Sequence, residues 1–180
     1  MKIAISLFIG LTCLFKVAPS EDLTAARERA EQGDAHAQSI IGAACEKDGN
    51  YAEAVRWYRR AAEQEDDVAQ YMLGGMYEQG KGVAQDYAQA VRWWRKSAEQ
   101  GNAEAPFNLG VMYATGRGVP QNYVQAYMWA TLAMRASGKS QRSAASLRDV
   151  LASKMAAAQI SEAQHRANVW KPTPGRRGLK

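Results

Sequence analysis

The chain carries little of what catalysis usually needs. Its 180 residues include only two cysteines, Cys13 and Cys45, and two histidines, His36 and His165. Cys13 falls in a leader-like segment, so one cysteine remains for the folded part and an intrachain disulfide is excluded there. His36 lies nine and ten positions before Cys45 and Glu46, too far for neighbouring ligands on one helix face. No HExxH, CxxC or SxxK occurs, so zinc-peptidase, dithiol and penicillin-binding chemistry lack their motifs. Gly80-Lys81-Gly82-Val83 looks like part of a phosphate loop, but the spacing GxxxxGK followed by Ser or Thr is absent. No catalytic, metal or cofactor site is expected.

Long apolar stretches are also scarce. The conspicuous one, Ile3 to Phe15, spans thirteen residues, and a transmembrane helix needs about 20. Met1 and Lys2 precede it, and the small-residue end Lys16-Val17-Ala18-Pro19-Ser20 follows. A charged start, a short apolar run and a small-residue end read as a signal peptide. Cleavage is expected after Ser20, which directs the chain to the periplasm or the exterior with no stable membrane span left.

The charge balance narrows the partners. The formal net charge is +5. Without Lys2 and Lys16, the 23 basic residues fall to 21, against 18 acidic ones, giving +3. Lys171, Arg176, Arg177 and Lys180 supply four of these positive charges, which leaves Glu21 to Trp170 near −1. A nucleic-acid face needs clustered Lys and Arg along one surface, and none is legible. The Pro- and Gly-rich tail, residues 171–180, reads as disordered, with weak contact to anionic surfaces as its one possible role.

What the chain does have is repetition. Gly80, Gly82, Val83, Tyr87 and Trp93 return as Gly116, Gly118, Val119, Tyr123 and Trp129, 36 positions later. Tyr51, Ala54 and Trp57 stand 36 positions before Tyr87, Ala90 and Trp93, in a copy that lacks the GxGV part. A feature present in two copies and missing from a third reads as architecture, with Gly80 and Gly82 as a helix cap and a tight turn. Each unit holds two helices, A and B. Ala69, Leu73, Gly74 and Tyr77 share one face of helix A, predicted over 67–79. Asn50, Asp86 and Asn122, each three residues before Glu or Gln, mark the start of helix B. Pro106 sits a turn inside the third A helix, so that helix should start late or bend.

The expected organisation is all-α: a solenoid of stacked antiparallel helix pairs with helical caps and no strands. Residues 1–20 form the signal peptide and 21–33 a capping half-repeat. Residues 34–65, 66–101 and 102–137 are three repeats, the first with a short A–B loop. Residues 138–170 hold two capping helices, predicted over 141–155 and 160–170, and 171–180 are the tail. Nine helices result.

The pattern AxxxLGxxYxxGxGVxx[DN]YxxAxxWxxxxAEQG, as it stands from Ala69 to Gly101, resembles the Sel1-like repeat, a relative of the tetratricopeptide repeat. Residues 102–137 match it except at the end, and 34–65 match with a four-residue deletion. The stretch Leu147–Trp170 looks like the end of bacterial members. The resemblance implies adaptors and scaffolds, often in bacterial envelopes, with partners that differ between proteins. Some relatives carry a disulfide in each repeat, which this chain cannot form.

Candidate binding residues follow from the A helices. Ile40 and Ala44, Met72 and Met76, and Asn108 and Met112 are i, i+4 pairs beside the Leu/Tyr face. In stacked helix pairs the A helices line the concave surface, and methionine suits surfaces that accept varied partners. Packing between neighbouring A helices is the competing account. Trp93 shares its slot with Trp57 and Trp129, which points to packing; Trp94 shares its slot with Tyr58 and Ala130, which leaves it freer for a partner, although packing is the favoured account because large aromatics are usually well buried. The expected role is non-catalytic binding of an envelope protein or peptide. A cell-wall hydrolase or peptidoglycan-binding protein and a self-associating structural module are the alternatives.

Overall fold

The computed structural model describes residues 21–173. The expected signal peptide, residues 1–20, and residues 174–180 of the expected tail lie outside them. Among the described residues there are nine α-helices and no strand: α1 (Glu21–Glu31), α2 (Ala35–Lys47), α3 (Tyr51–Glu63), α4 (Asp67–Gln79), α5 (Tyr87–Glu99), α6 (Ala105–Thr115), α7 (Tyr123–Arg135), α8 (Gln141–Ala152) and α9 (Ala157–Val169). The pairs α2–α3, α4–α5 and α6–α7 are the three units. Each A helix also packs on the B helix before it, and α8 and α9 both pack on α7.

The helix starts follow from short polar side chains. Asp34 and Asp66 accept from the amides of Ala37 and Ala69. Asp86 and Asn122 accept from those of Gln89 and Gln125. Such caps satisfy amides that have no carbonyl one turn back. Asn50 starts α3 without such a cap bond. In the third unit Asn102 accepts from Glu104 and Ala105, and Pro106 occupies the first turn of α6. That helix therefore starts late rather than bends, because proline's missing N–H costs nothing in a first turn.

The Gly-Xaa-Gly-Val loops turn a corner and clasp the preceding unit. Gly80 and Gly116 close α4 and α6 in the left-handed conformation, at φ 67° and 73°. Gly82 and Gly118 also have positive φ. A β-carbon on either would collide with the backbone of Tyr51 or Tyr87, at the start of the B helix one unit earlier. The first, shorter unit has no such loop.

The core is a stack of small-on-large contacts. A β-carbon on Gly42 would lie 2.7 Å from the Tyr58 ring, and one on Gly74 would lie 2.6 Å from the Trp94 ring. In the third unit Gly110 faces the backbone of Ala126 and Ala130, and Leu147 of α8 enters the space instead. Buried glutamines add a polar ladder. Gln38 and Gln70 donate to the carbonyls of Ala30 and Ala62, each at 3.0 Å. They accept in turn from Gln64 and Gln100, each at 2.9 Å.

Two C-terminal expectations need adjusting. The capping helices end at Ala152 and begin at Ala157, rather than at 155 and 160. Lys171 to Thr173, expected to begin a disordered tail, run back over α5, where the Thr173 amide donates to the Glu99 carbonyl at 2.6 Å. Trp170 anchors this return edge-on to Trp129, with ring centroids 5.6 Å apart.

Candidate functional site

The residues with catalytic potential do not converge. His36 on α2 and His165 on α9 are exposed, and Cys45 is buried as a small apolar group beneath α3. Among the described residues no three His, Cys, Asp or Glu side chains gather as a metal site. No helix among them is long and apolar enough to cross a membrane.

A groove does open on the A-helix face. It has a volume of about 340 Å3 and draws on α2, α4 and α6. Tyr71, Met72, Gly75, Met76, Glu78 and Gln79 come from α4, with Glu46 on one side and Asn108 on the other. The buried Trp94 ring lies beneath, its indole N–H donating to the Tyr71 carbonyl at 3.1 Å. The Tyr58 hydroxyl donates to Glu46 Oε2 at 3.0 Å, which fixes that carboxylate. Burial, with the nearby Glu46 charge, pushes the Tyr58 hydroxyl far above the ordinary phenol range. Burial also raises Tyr71, against a hydrogen bond with the Asn108 side chain that lowers it. Both hydroxyls therefore stay protonated as donors at neutral pH. A second cavity of about 330 Å3 lies between α7, α8 and α9, and Arg135 there is held by the Ala167 carbonyl and Asn168 Oδ1.

The structure separates the expected binding residues. Met72 and Asn108 are half-buried and line the groove. Ile40 and Ala44 are half-buried on α2, and Ile40 packs against the first core cluster. Met76 and Met112 are not surface ridges: they are 2% and 1% exposed. Each packs into the core formed with the unit before it, so stacking covers the slot that spacing along one helix left open. Met76 reaches the groove only as its floor, and Met112 does not line it.

Trp94 is likewise interior, at 1% exposure, and not free for a partner. Its slot varies among Tyr58, Trp94 and Ala130 because each residue must fill against a glycine, and α8 supplies the volume in the third unit. Trp57 and Trp129 are buried as expected, and Trp93 is half-buried with Lys96 over its ring at 4.7 Å. Glu46, Tyr71, Gly75, Glu78 and Gln79 were missed from sequence. One signal was available: a second glycine, Gly75, stands inside α4 where the other units have Ala43 and Val111.

Comparison with known proteins agrees with this architecture. The family model described as the Sel1 repeat matches residues 41–66, 67–102 and 103–136. A protective antigen of uropathogenic Escherichia coli strains, whose crystal structure displays an SLR fold, is 35% identical with a TM-score of 0.75. That match covers 84% of this chain but only 33% of the antigen, so this chain spans about a third of its length. A Sel1 repeat protein from Oxalobacter formigenes is 33% identical with a TM-score of 0.63, over 72% of this chain and 99% of that one. Comparison with curated proteins gives no match. Three successive repeat matches, two similar crystal structures and the glycine-seated helix pairs make this chain a member of the Sel1 repeat family.

Proposed function

We propose that this chain is a non-catalytic adaptor of the bacterial envelope that holds a segment of a partner protein on its A-helix face. Sel1 repeat proteins are generally protein-interaction scaffolds, and the fold is generally non-enzymatic. The observation that carries the reading here is the groove built by A helices of three successive units. A surface contributed by several repeats suits an extended ligand that touches each in turn. Residues 1–20 support export, since they combine a charged start, a short apolar run and a small-residue end.

The test is affinity capture by the tagged full-length chain from a bacterial envelope extract, beside a Gly75→Phe variant. A β-carbon at Gly75 meets no neighbouring group within 4 Å, so a phenyl group there is expected to fill the groove, and circular dichroism checks that the variant folds. A protein retained by the parent and lost with the folded variant is the expected result. Equal recovery by both would remove the groove from the binding reaction. Export is read separately, by the amino-terminal sequence of the protein recovered from a periplasmic fraction. A mature start at Glu21 is expected; retention of Met1 in the cytoplasm would end the envelope assignment.

A further inference from the structure

We infer that the groove selects its partner by a cationic side chain, a lysine or arginine on an extended segment, seated over Gly75 between Glu46 and Glu78. The inference rests on the protein-binding reading above and adds the chemistry of the ligand. Three observations point the same way.

The first is charge. Among the described residues, the charged side chains lining the groove are two carboxylates, Glu46 of α2 and Glu78 of α4, and no Lys, Arg or His lines it. Neither carboxylate is in an ion pair among the described residues. Both are half-buried, where an opposite charge is screened less than at an open surface. Glu46 is also held in place by the Tyr58 hydroxyl, so its position does not have to be organised on binding.

The second is the glycine. A glycine inside a helix is less favourable than alanine, because it loses more backbone freedom on folding. At Gly42, Gly74 and Gly110 a neighbour in the stack occupies the space a side chain would need. At Gly75 there is no such neighbour within 4 Å, although the residue lines the groove in the middle of α4. Bare helix backbone facing a cavity allows close approach by another chain. The third is the rest of the lining. Met72 offers apolar contact for the methylene stem of Lys or Arg, while Gln79 and Asn108 offer amides to a peptide backbone.

The test pans a random decapeptide library against the full-length chain and measures the binding of recovered peptides by fluorescence anisotropy. The expected result is enrichment of Lys or Arg flanked by small residues. Affinity should fall about tenfold with Glu78→Gln, as for one lost charge-assisted hydrogen bond, and fall with rising salt. Gly75→Ala should weaken binding while leaving the melting temperature unchanged or raised, a combination that loss of folding cannot produce. Glu78→Lys should turn the recovered preference toward acidic peptides. Peptides that are blocked by Gly75→Phe but carry no cation would overturn the charge inference and leave the protein-binding reading standing. Recovery of no peptide sensitive to Gly75→Phe would overturn both. The heptapeptide PGRRGLK, residues 174–180, is included as a competitor. If it bound the groove more tightly than every library peptide, the occupant would be this chain's own tail, and the foreign partner would be overturned.

Discussion

The second and third units share a pattern but end their stacks differently. In the second, Trp94 lies on Gly74, Gln70 is buried in the amide ladder, and Lys96 covers the Trp93 ring. Thirty-six positions on, the same slots hold Ala130, Pro106 and Leu132. None of these three can make the contact it replaces. Each loss is met by the capping segment: Leu147 reaches the space above Gly110, and Trp170 meets Trp129 edge-on. Where the ladder is lost, Glu104 accepts from the amides of Lys139 and Ser140 and from the Ser140 hydroxyl. Departures from a repeat thus mark the surface where the array stops and a different neighbour is packed.

The sharpest way to break this contrast is to place the same methyl group in both units. Gly74→Ala forces a β-carbon into the Trp94 ring and should cost about 2–3 kcal/mol, as overpacking does. Gly110→Ala meets its neighbours at 3.3 to 3.4 Å and gains helix preference, so it should stay within about 1 kcal/mol of the parent. Urea unfolding of the two variants measures both, and equal costs would refute the difference in packing. Leu147→Ala should come next, at about 2 kcal/mol by the same measurement, because it empties the space above Gly110.

Glu104→Gln should cost about 1 kcal/mol at neutral pH, since it weakens charge-assisted bonds to a partly exposed group. Burial raises the Glu104 carboxyl, but the Ser140 hydroxyl, two backbone amides and the Lys139 charge outweigh it and hold it below the ordinary range. A depressed folded-state pKa stabilises above the unfolded pKa, and that stability is lost as pH falls through the folded one. The gap between parent and variant should therefore be full at pH 7 and close below about pH 4; a gap that persisted in acid would assign it to shape instead of charge. The smallest effect is expected for Arg95→Ala. Arg95 donates to the Tyr113 hydroxyl across the unit boundary, as Arg59 does to Tyr77 one unit earlier. These exposed links should cost no more than about 0.5 kcal/mol in thermal unfolding.

Much of this fold was legible because it is local. The Asx caps, the 67–79 helix and the late start forced by Pro106 depend on contacts within a few residues. The direction of neighbouring side chains was less legible. Trp93 and Trp94 are turned about 100° apart on one helix, and both border its apolar face. Variation at position 94's slot looked like freedom, whereas it records what each glycine faces. The Met76 and Met112 slots failed for the same reason, since the neighbouring unit that covers them lies outside any single-helix pattern. Of the groove, the A-helix face with Met72 and Asn108 was legible. Its carboxylates were not, because Glu46 and Glu78 come together only through stacking.

The seats of Gly82 and Gly118 give the molecule a direction. Each clasp reaches toward the amino end, onto the start of a helix already traversed by the chain. Synthesis proceeds from that same end. Each loop's seat therefore precedes it along the chain, so a chain delivered amino end first can lay the array down one course at a time, with α8 and α9 closing it last.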